Sequence, residues 1–361
     1  MKTLALFSSL ALSGLLLTSP AQAQGRNMPD PGSFSEPLIV EPDQVPNFRR
    51  SMRAIVGEIS SYAKTRDPNF LVLVRDGLEL AQRSDREVQL DEFLAEGRDD
   101  VIIPSQGTLE RVYLRAVDGF VLDGTFCGRD EWDRATSAGD TEDTLALAQT
   151  VRREGPRMLT VEHCGKADLR SNAHRRAASA NMLAYAEGGQ QMATIPSGRP
   201  WGENAESVMS LAAARNFLLH EDSRSWDSRA DWIAALRGTN HDLLIVNPFH
   251  RMADPLTREE VQKLKYKSLG SRRLVFASMS LGIARETGFY WNKDWRLGNP
   301  AWLSAPATVP GSYVVDYEAE PWKDILGRTI AGIMDLGFDG VMLEDADAYL
   351  FWEARMPLNF F

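Results

Sequence analysis

Histidine and cysteine are scarce in this chain of 361 residues, with five and two copies respectively. His163, His174, His220, His241 and His250 form no i,i+4 pair and no H-E-x-x-H, so two imidazoles are not set on one helix face. That spacing argues against a metal site, and no cofactor is expected. Basic blocks are missing as well. The formal net charge is −10, with no Lys/Arg cluster to neutralise phosphates, which argues against nucleic acid as a partner. No G-x-G-x-x-G follows an early strand and no serine nucleophile elbow occurs. Beyond the N-terminus no apolar run reaches the ~20 residues that a membrane span needs.

What is present begins with a leader. Lys2 gives a positive start, Leu4 to Leu17 a short apolar core, and Ala21-Gln22-Ala23 a small-residue cleavage site. Residues 1–23 are therefore expected to be a signal peptide cleaved after Ala23, delivering the protein to the periplasm or the exterior. Residues 24–46 carry Pro29, Pro31, Pro37, Pro42 and Pro46 without apolar periodicity, and read as an extended lead-in. Residues 47–361 are long enough for one large domain, and a 43% hydrophobic content supplies its core.

Apolar positions at three- and four-residue spacing from Phe48 to Tyr62 predict an amphipathic helix, followed by a buried strand over 70–74. Further strands are predicted over 117–122, 157–161, 216–219, 242–246, 273–279 and 312–315. A long Ala-rich helix is predicted from Leu169 to Ala186. The last strand lies in Gly337-Phe338-Asp339-Gly340-Val341-Met342-Leu343-Glu344-Asp345-Ala346-Asp347, an apolar run that ends abruptly in acids. Asp118-Gly119-Phe120-Val121-Leu122-Asp123 is a near copy of Asp339 to Glu344. Eight strands alternating with helices predict a single (β/α)8 barrel in preference to a doubly wound open sheet.

Acids at the C-terminal ends of such strands lie where these folds place their chemistry. The candidates are Asp76, Asp123, Glu162, Glu344 and Asp347, with Asn247 at another tip. A ring of such acids can supply one carboxylic acid as a proton donor and one carboxylate opposite it, because crowded like charges raise one pKa. Aromatic faces at Tyr290 and Trp291 suit the apolar C–H surfaces of sugars. Cys127 and Cys164 each follow a predicted strand, leaving either a disulfide or two buried thiols.

Three stretches carry a resemblance to glycoside-hydrolase family 114, the endo-α-1,4-polygalactosaminidase group of secreted (β/α)8 barrels. Leu274 to Gly282 with Tyr290-Trp291 resembles that family's third-strand motif, and Tyr313 to Tyr317 with Trp322 resembles its fourth. Gly337 to Tyr349 with Phe351-Trp352-Glu353 resembles its fifth-strand signature. The segments 52–80 and 117–128 resemble parts that follow this signature in the family, so the chain looks circularly permuted. The resemblance then makes Cys127 and Cys164 tips of adjacent strands, which favours a disulfide between them.

The family's third-strand glutamate is replaced by Ile283, its next acid by Arg285, and its fifth-strand aspartate by Glu344. The resemblance implies Glu344 and Asp123 as catalytic carboxyl groups, with Glu286 compensating for the lost acid. Asp76, Glu162, Asn247, Tyr317, Asp347, Tyr290 and Trp291 are expected to bind substrate. The expected function is an exported hydrolase of an amino-sugar polysaccharide. A catalytically impaired carbohydrate-binding or envelope-assembly protein is the alternative.

Overall fold

A computed structural model of the protein describes residues 28–29, 37–98 and 100–358. The expected signal peptide lies outside the described residues, as does most of the lead-in before Pro37. The described lead-in does not extend away from the domain. Leu38 N donates to the Arg355 carbonyl at 2.8 Å, and Pro42 and Val45 are buried, so burial of apolar rings and side chains ties it down.

Eight parallel strands form the main sheet: β1 (Leu71–Arg75), β2 (Gly119–Asp123), β3 (Arg157–Val161), β4 (Leu183–Tyr185), β5 (Phe217–His220), β6 (Leu243–Val246), β7 (Leu274–Ser280) and β8 (Gly340–Glu344). Their spatial order is β4-β3-β2-β1-β8-β7-β6-β5, so the first strand pairs with the last. The ladder stops between β4 and β5, yet the Tyr185 and Phe217 rings meet there at 5.6 Å. The sheet is a nearly closed, barrel-like α/β architecture. Both faces of each strand are covered, which explains why the strands read as unbroken apolar runs.

Helix α1 (Phe48–Arg66) is capped by Asn47, whose side chain accepts from Arg50 N at 2.9 Å, and it buries Met52, Val56, Ile59 and Ala63. Helices α2 (Asp85–Leu94) and α3 (Arg111–Ala116) fill the β1–β2 connection. The capping box of α2 comes from Ser84 and Glu87. Helices α4 (Ala138–Arg152), α5 (Ala167–Ser179), α6 (Arg229–Arg237), α7 (Arg258–Leu264), α8 (Glu320–Leu336) and α9 (Ala348–Arg355) complete the described set.

Two expectations are corrected here. The predicted helix to Ala186 ends at Ser179; Asn181, at φ 58°, turns the chain, and Leu183–Tyr185 becomes β4. Residues 312–315 do not join the main sheet. They are the middle strand of a small antiparallel sheet between 283–285 and 303–306, inserted after β7.

The repeated Asp-Gly pairs sit at the feet of β2 and β8. Asp118 accepts from Val72 N at 2.8 Å and Asp339 from Val275 N at 2.9 Å, each satisfying an amide at the start of a neighbouring strand. Gly340 has no room for a side chain, since a Cβ there would stand 2.5 Å from the Leu71 carbonyl oxygen. The repeat therefore encodes close strand packing at one end and an acid at the other.

Candidate active site

The acids at the strand ends converge on one cation. Arg75, last residue of β1, points into the barrel and is only 4% exposed. Its Nε and Nη2 donate to the Asp123 carboxylate at 2.6 and 3.0 Å, a two-pronged contact with the tip of neighbouring β2. Its Nη1 donates to Glu221 at 2.5 Å and reaches Glu344 at 3.4 Å. Glu221 follows β5, four places from β1 in the strand order, so the guanidinium reaches across the mouth. His163, after β3, completes the cluster with Nε2 2.7 Å from Asp123 Oδ1.

Burial alone would raise the Asp123 carboxyl pKa, but the Arg75 charge and the His163 hydrogen bond outweigh it and hold Asp123 well below the ordinary value. Burial also opposes the charge on Arg75, and Asp123 and Glu221 outweigh that in turn. Glu344 goes the other way. Burial and then the adjacent Glu221 push its pKa well up, and a hydrogen bond joins the two carboxyl groups. Such a bond needs a proton between them. Asp76 is likewise driven well up, by burial and then by Asp123 and Asp347. It sits in the left-handed region at φ 58°, held there beside Gly77 at the end of β1.

A cavity of about 530 Å³ opens over this cluster, lined in part by Asp76, Asp123, His163, Asp347, Tyr349 and Arg129. With Asp76, Asp123 and Asp347, its acids Glu79, Asp85, Asp140 and Asp143 make seven against three arginines, Arg49, Arg83 and Arg129. Among the described residues no group of three or more His, Cys, Asp and Glu side chains is arranged to hold a metal ion. None of the described helices is long and apolar enough to cross a membrane.

Asp76, Asp123, Glu344 and Asp347 are thus gathered at one end of the sheet. Other expected residues are placed elsewhere. Glu162 is 1% exposed and accepts from the amides of Phe126 and Cys127 at 2.9 and 2.7 Å and from the Thr160 hydroxyl at 2.6 Å. It pins the loop after β2 and does not reach the cavity. Burial raises its pKa to about 7 against those hydrogen bonds. The sulfurs of Cys127 and Cys164 are joined in a disulfide beside it, linking the ends of neighbouring β2 and β3.

Glu286 is exposed on the small antiparallel sheet, where its carboxylate accepts from the Tyr313 hydroxyl at 2.6 Å. It is not among the residues that line the cavity. Trp291 stacks on Tyr313 at 5.4 Å and packs edge-on to Trp295. Tyr290 accepts from Arg285 N and lies edge-on to Trp322, so both aromatics serve packing of the insert. Tyr317 is 1% exposed with its hydroxyl on the Phe48 carbonyl, which turns it toward α1 and away from the mouth. Asn247 accepts from Phe249 N at 2.9 Å and shapes the loop after β6.

Arg75, Glu221 and His163 also belong to the cluster, each within two residues of the end of a predicted strand, so the position rule that selected the acids applies to them. A buried arginine is the counter-charge that crowded carboxylates require.

No family model matches the chain. Three relatives match parts of it, each described as an uncharacterised protein. One from Deinococcus radiodurans is 31% identical over 116 residues, which is 32% of this chain and 36% of the relative. One from Thermotoga maritima is 35% identical over 77 residues, 21% of this chain and 24% of the relative. One from Methanocaldococcus jannaschii is 32% identical over 97 residues, 27% of each chain. The chain thus spans between 24% and 36% of the length of these relatives.

Proposed function

We propose that the protein is an exported glycoside hydrolase that cleaves an amino-sugar polysaccharide of the galactosamine type, on a (β/α)8 barrel whose chain starts at a shifted strand. The observation that carries this reading is the pair Asp76 and Asp123. They stand at the ends of adjacent strands, line one cavity, and have surroundings that drive their protonation in opposite directions. Carboxyl groups separated in this way divide into an acid and an anion.

In this mechanism Asp76 gives its proton to the glycosidic oxygen as the C–O bond breaks; a water molecule then adds to the sugar carbon and gives its proton back to Asp76. Asp123, kept anionic by Arg75 and oriented by His163, faces the positive charge that develops on the sugar ring. Glu221 and Glu344, joined to each other by a hydrogen bond, also contact the Arg75 guanidinium through Nη1. The excess of acids around the cavity suits a polymer bearing ammonium groups. The disulfide supports export, because such bonds persist in oxidising compartments.

The test is release of reducing ends from partially deacetylated galactosaminoglycan. Asp76→Asn and Asp123→Asn are each expected to lower the rate about 10²–10⁴-fold, the usual contribution of a general acid or its partner. Rates equal to wild type in both would refute the assignment. A second reading, a carbohydrate-binding barrel without hydrolysis, draws on Ile283. It is 1% exposed and packed in an apolar cluster with Val314 and Phe351, where the resemblance implies a glutamate. Binding of the polymer with no product from the wild type would select it.

A further inference from the structure

Two phenylalanines lie on the same end of the sheet as the carboxyl cluster but outside its cavity. Phe249 is in the loop after β6, and Phe289 is in the segment after β7 and 51% exposed. Their rings are nearly parallel, with centroids 6.1 Å apart and planes inclined by 13°. Each is held in place. Phe249 N donates to the Asn247 side chain at 2.9 Å. The Phe289 ring rests edge-on against Tyr290 at 5.3 Å, and the Tyr290 hydroxyl is fixed by Arg285 N at 3.0 Å. The Tyr290 ring in turn abuts buried Trp322 at 5.6 Å.

In the strand order β7 lies three places and β6 four places from β2, whose tip carries Asp123. The phenylalanines therefore stand on the far half of the mouth. A polymer extended from Asp76 and Asp123 toward β6 and β7 would carry its next units over that half.

We propose that Phe249 and Phe289 form an aromatic ledge that binds a remote sugar unit of the same amino-sugar polymer, selecting long chains over short ones. This rests on the carbohydrate reading of the carboxyl site. The chemistry matches at both levels. Pyranose C–H faces are apolar and flat like the exposed ring, and an ammonium group is attracted to an aromatic face. The rings are fixed before the ligand arrives, so little ordering is lost on binding.

The test is calorimetry with galactosamine dimers and hexamers on wild type, Phe289→Ala and Phe289→Tyr, with reducing-end release measured in parallel. In wild type the hexamer binds more tightly than the dimer. Phe289→Ala lowers the hexamer-to-dimer affinity ratio about tenfold, equivalent to about 1.4 kcal/mol, and Phe289→Tyr restores it. An unchanged ratio in Phe289→Ala overturns the ledge. So does a change confined to self-association in sedimentation, which would make the rings a contact between copies. If wild type releases no reducing ends while the ratio still falls, hydrolysis fails and the ledge stands. If hydrolysis occurs with the ratio unchanged, only the ledge fails.

Discussion

Replacing Arg75 by methionine removes the guanidinium while keeping an apolar stem of similar length. Three carboxyl groups, Asp123, Glu221 and Glu344, then face one another without a cation. Breaking a buried ion pair by deleting one partner costs about 3–5 kcal/mol, because the remaining charge is left uncompensated. Urea unfolding of Arg75→Met at pH 7 is expected to show a loss in that range.

The pH dependence separates charge from packing. In wild type the Asp123 pKa is depressed in the folded state. Its stabilising contribution is therefore fully present above the unfolded value of about 3.9 and disappears as pH falls through the folded value. The variant lacks most of that contribution at every pH. The gap between the two proteins should be widest at neutral pH and narrow as pH falls below about 4, where the orphaned carboxyl groups take up protons. A gap of equal size at pH 3 and pH 7 would mean that Arg75 acts through packing alone, and the electrostatic account of the site would be wrong.

Glu162 works in the opposite direction. Its folded pKa of about 7 exceeds the unfolded value of about 4.3, so stability falls as pH rises from about 4 to 7, by roughly 3 kcal/mol. Glu162→Gln keeps an acceptor for the Phe126 and Cys127 amides, and pH-dependent unfolding should show that fall flattened. An unaltered slope would refute the assignment. Replacing Cys127 and Cys164 together by serine opens a link across 37 residues, worth about 4 kcal/mol by loop-closure entropy. Thermal unfolding of the double variant should move to lower temperature, and no shift would show that the native fold holds these loops without the bond. The Asp76→Asn, Asp123→Asn and Phe289→Ala measurements described above test the chemistry and the ledge separately.

Much of the site was legible because the barrel-like sheet turns a local rule into a spatial one. Asp76, Asp123 and Glu344 each end or follow a buried strand, and parallel strands bring all such ends to one face. Glu286 lies close in sequence to a strand end but is not among the residues that line the cavity. The chain leaves the sheet at Ser280 and forms a separate antiparallel insert, in which Glu286 and Trp291 pair with Tyr313 outside the lining of the carboxyl cavity. Glu162 stands at the right tip, but buried amide donors from the neighbouring loop claim its carboxylate.

By itself the sequence determined the alternation of helices and apolar strands, the Asp-Gly feet of β2 and β8, and the acids at the opposite ends. Those features depend on side-chain periodicity and local turn chemistry, which neighbours along the chain specify. Tertiary structure alone decided that Leu183–Tyr185 is a strand, that 312–315 leaves the sheet, and that Arg75 on β1 meets Glu221 after β5. Contacts between residues 146 positions apart are set by how the sheet curls, and no local pattern encodes that curvature. The protonation states follow from the same cause, since burial and the distance to a distant partner fix them.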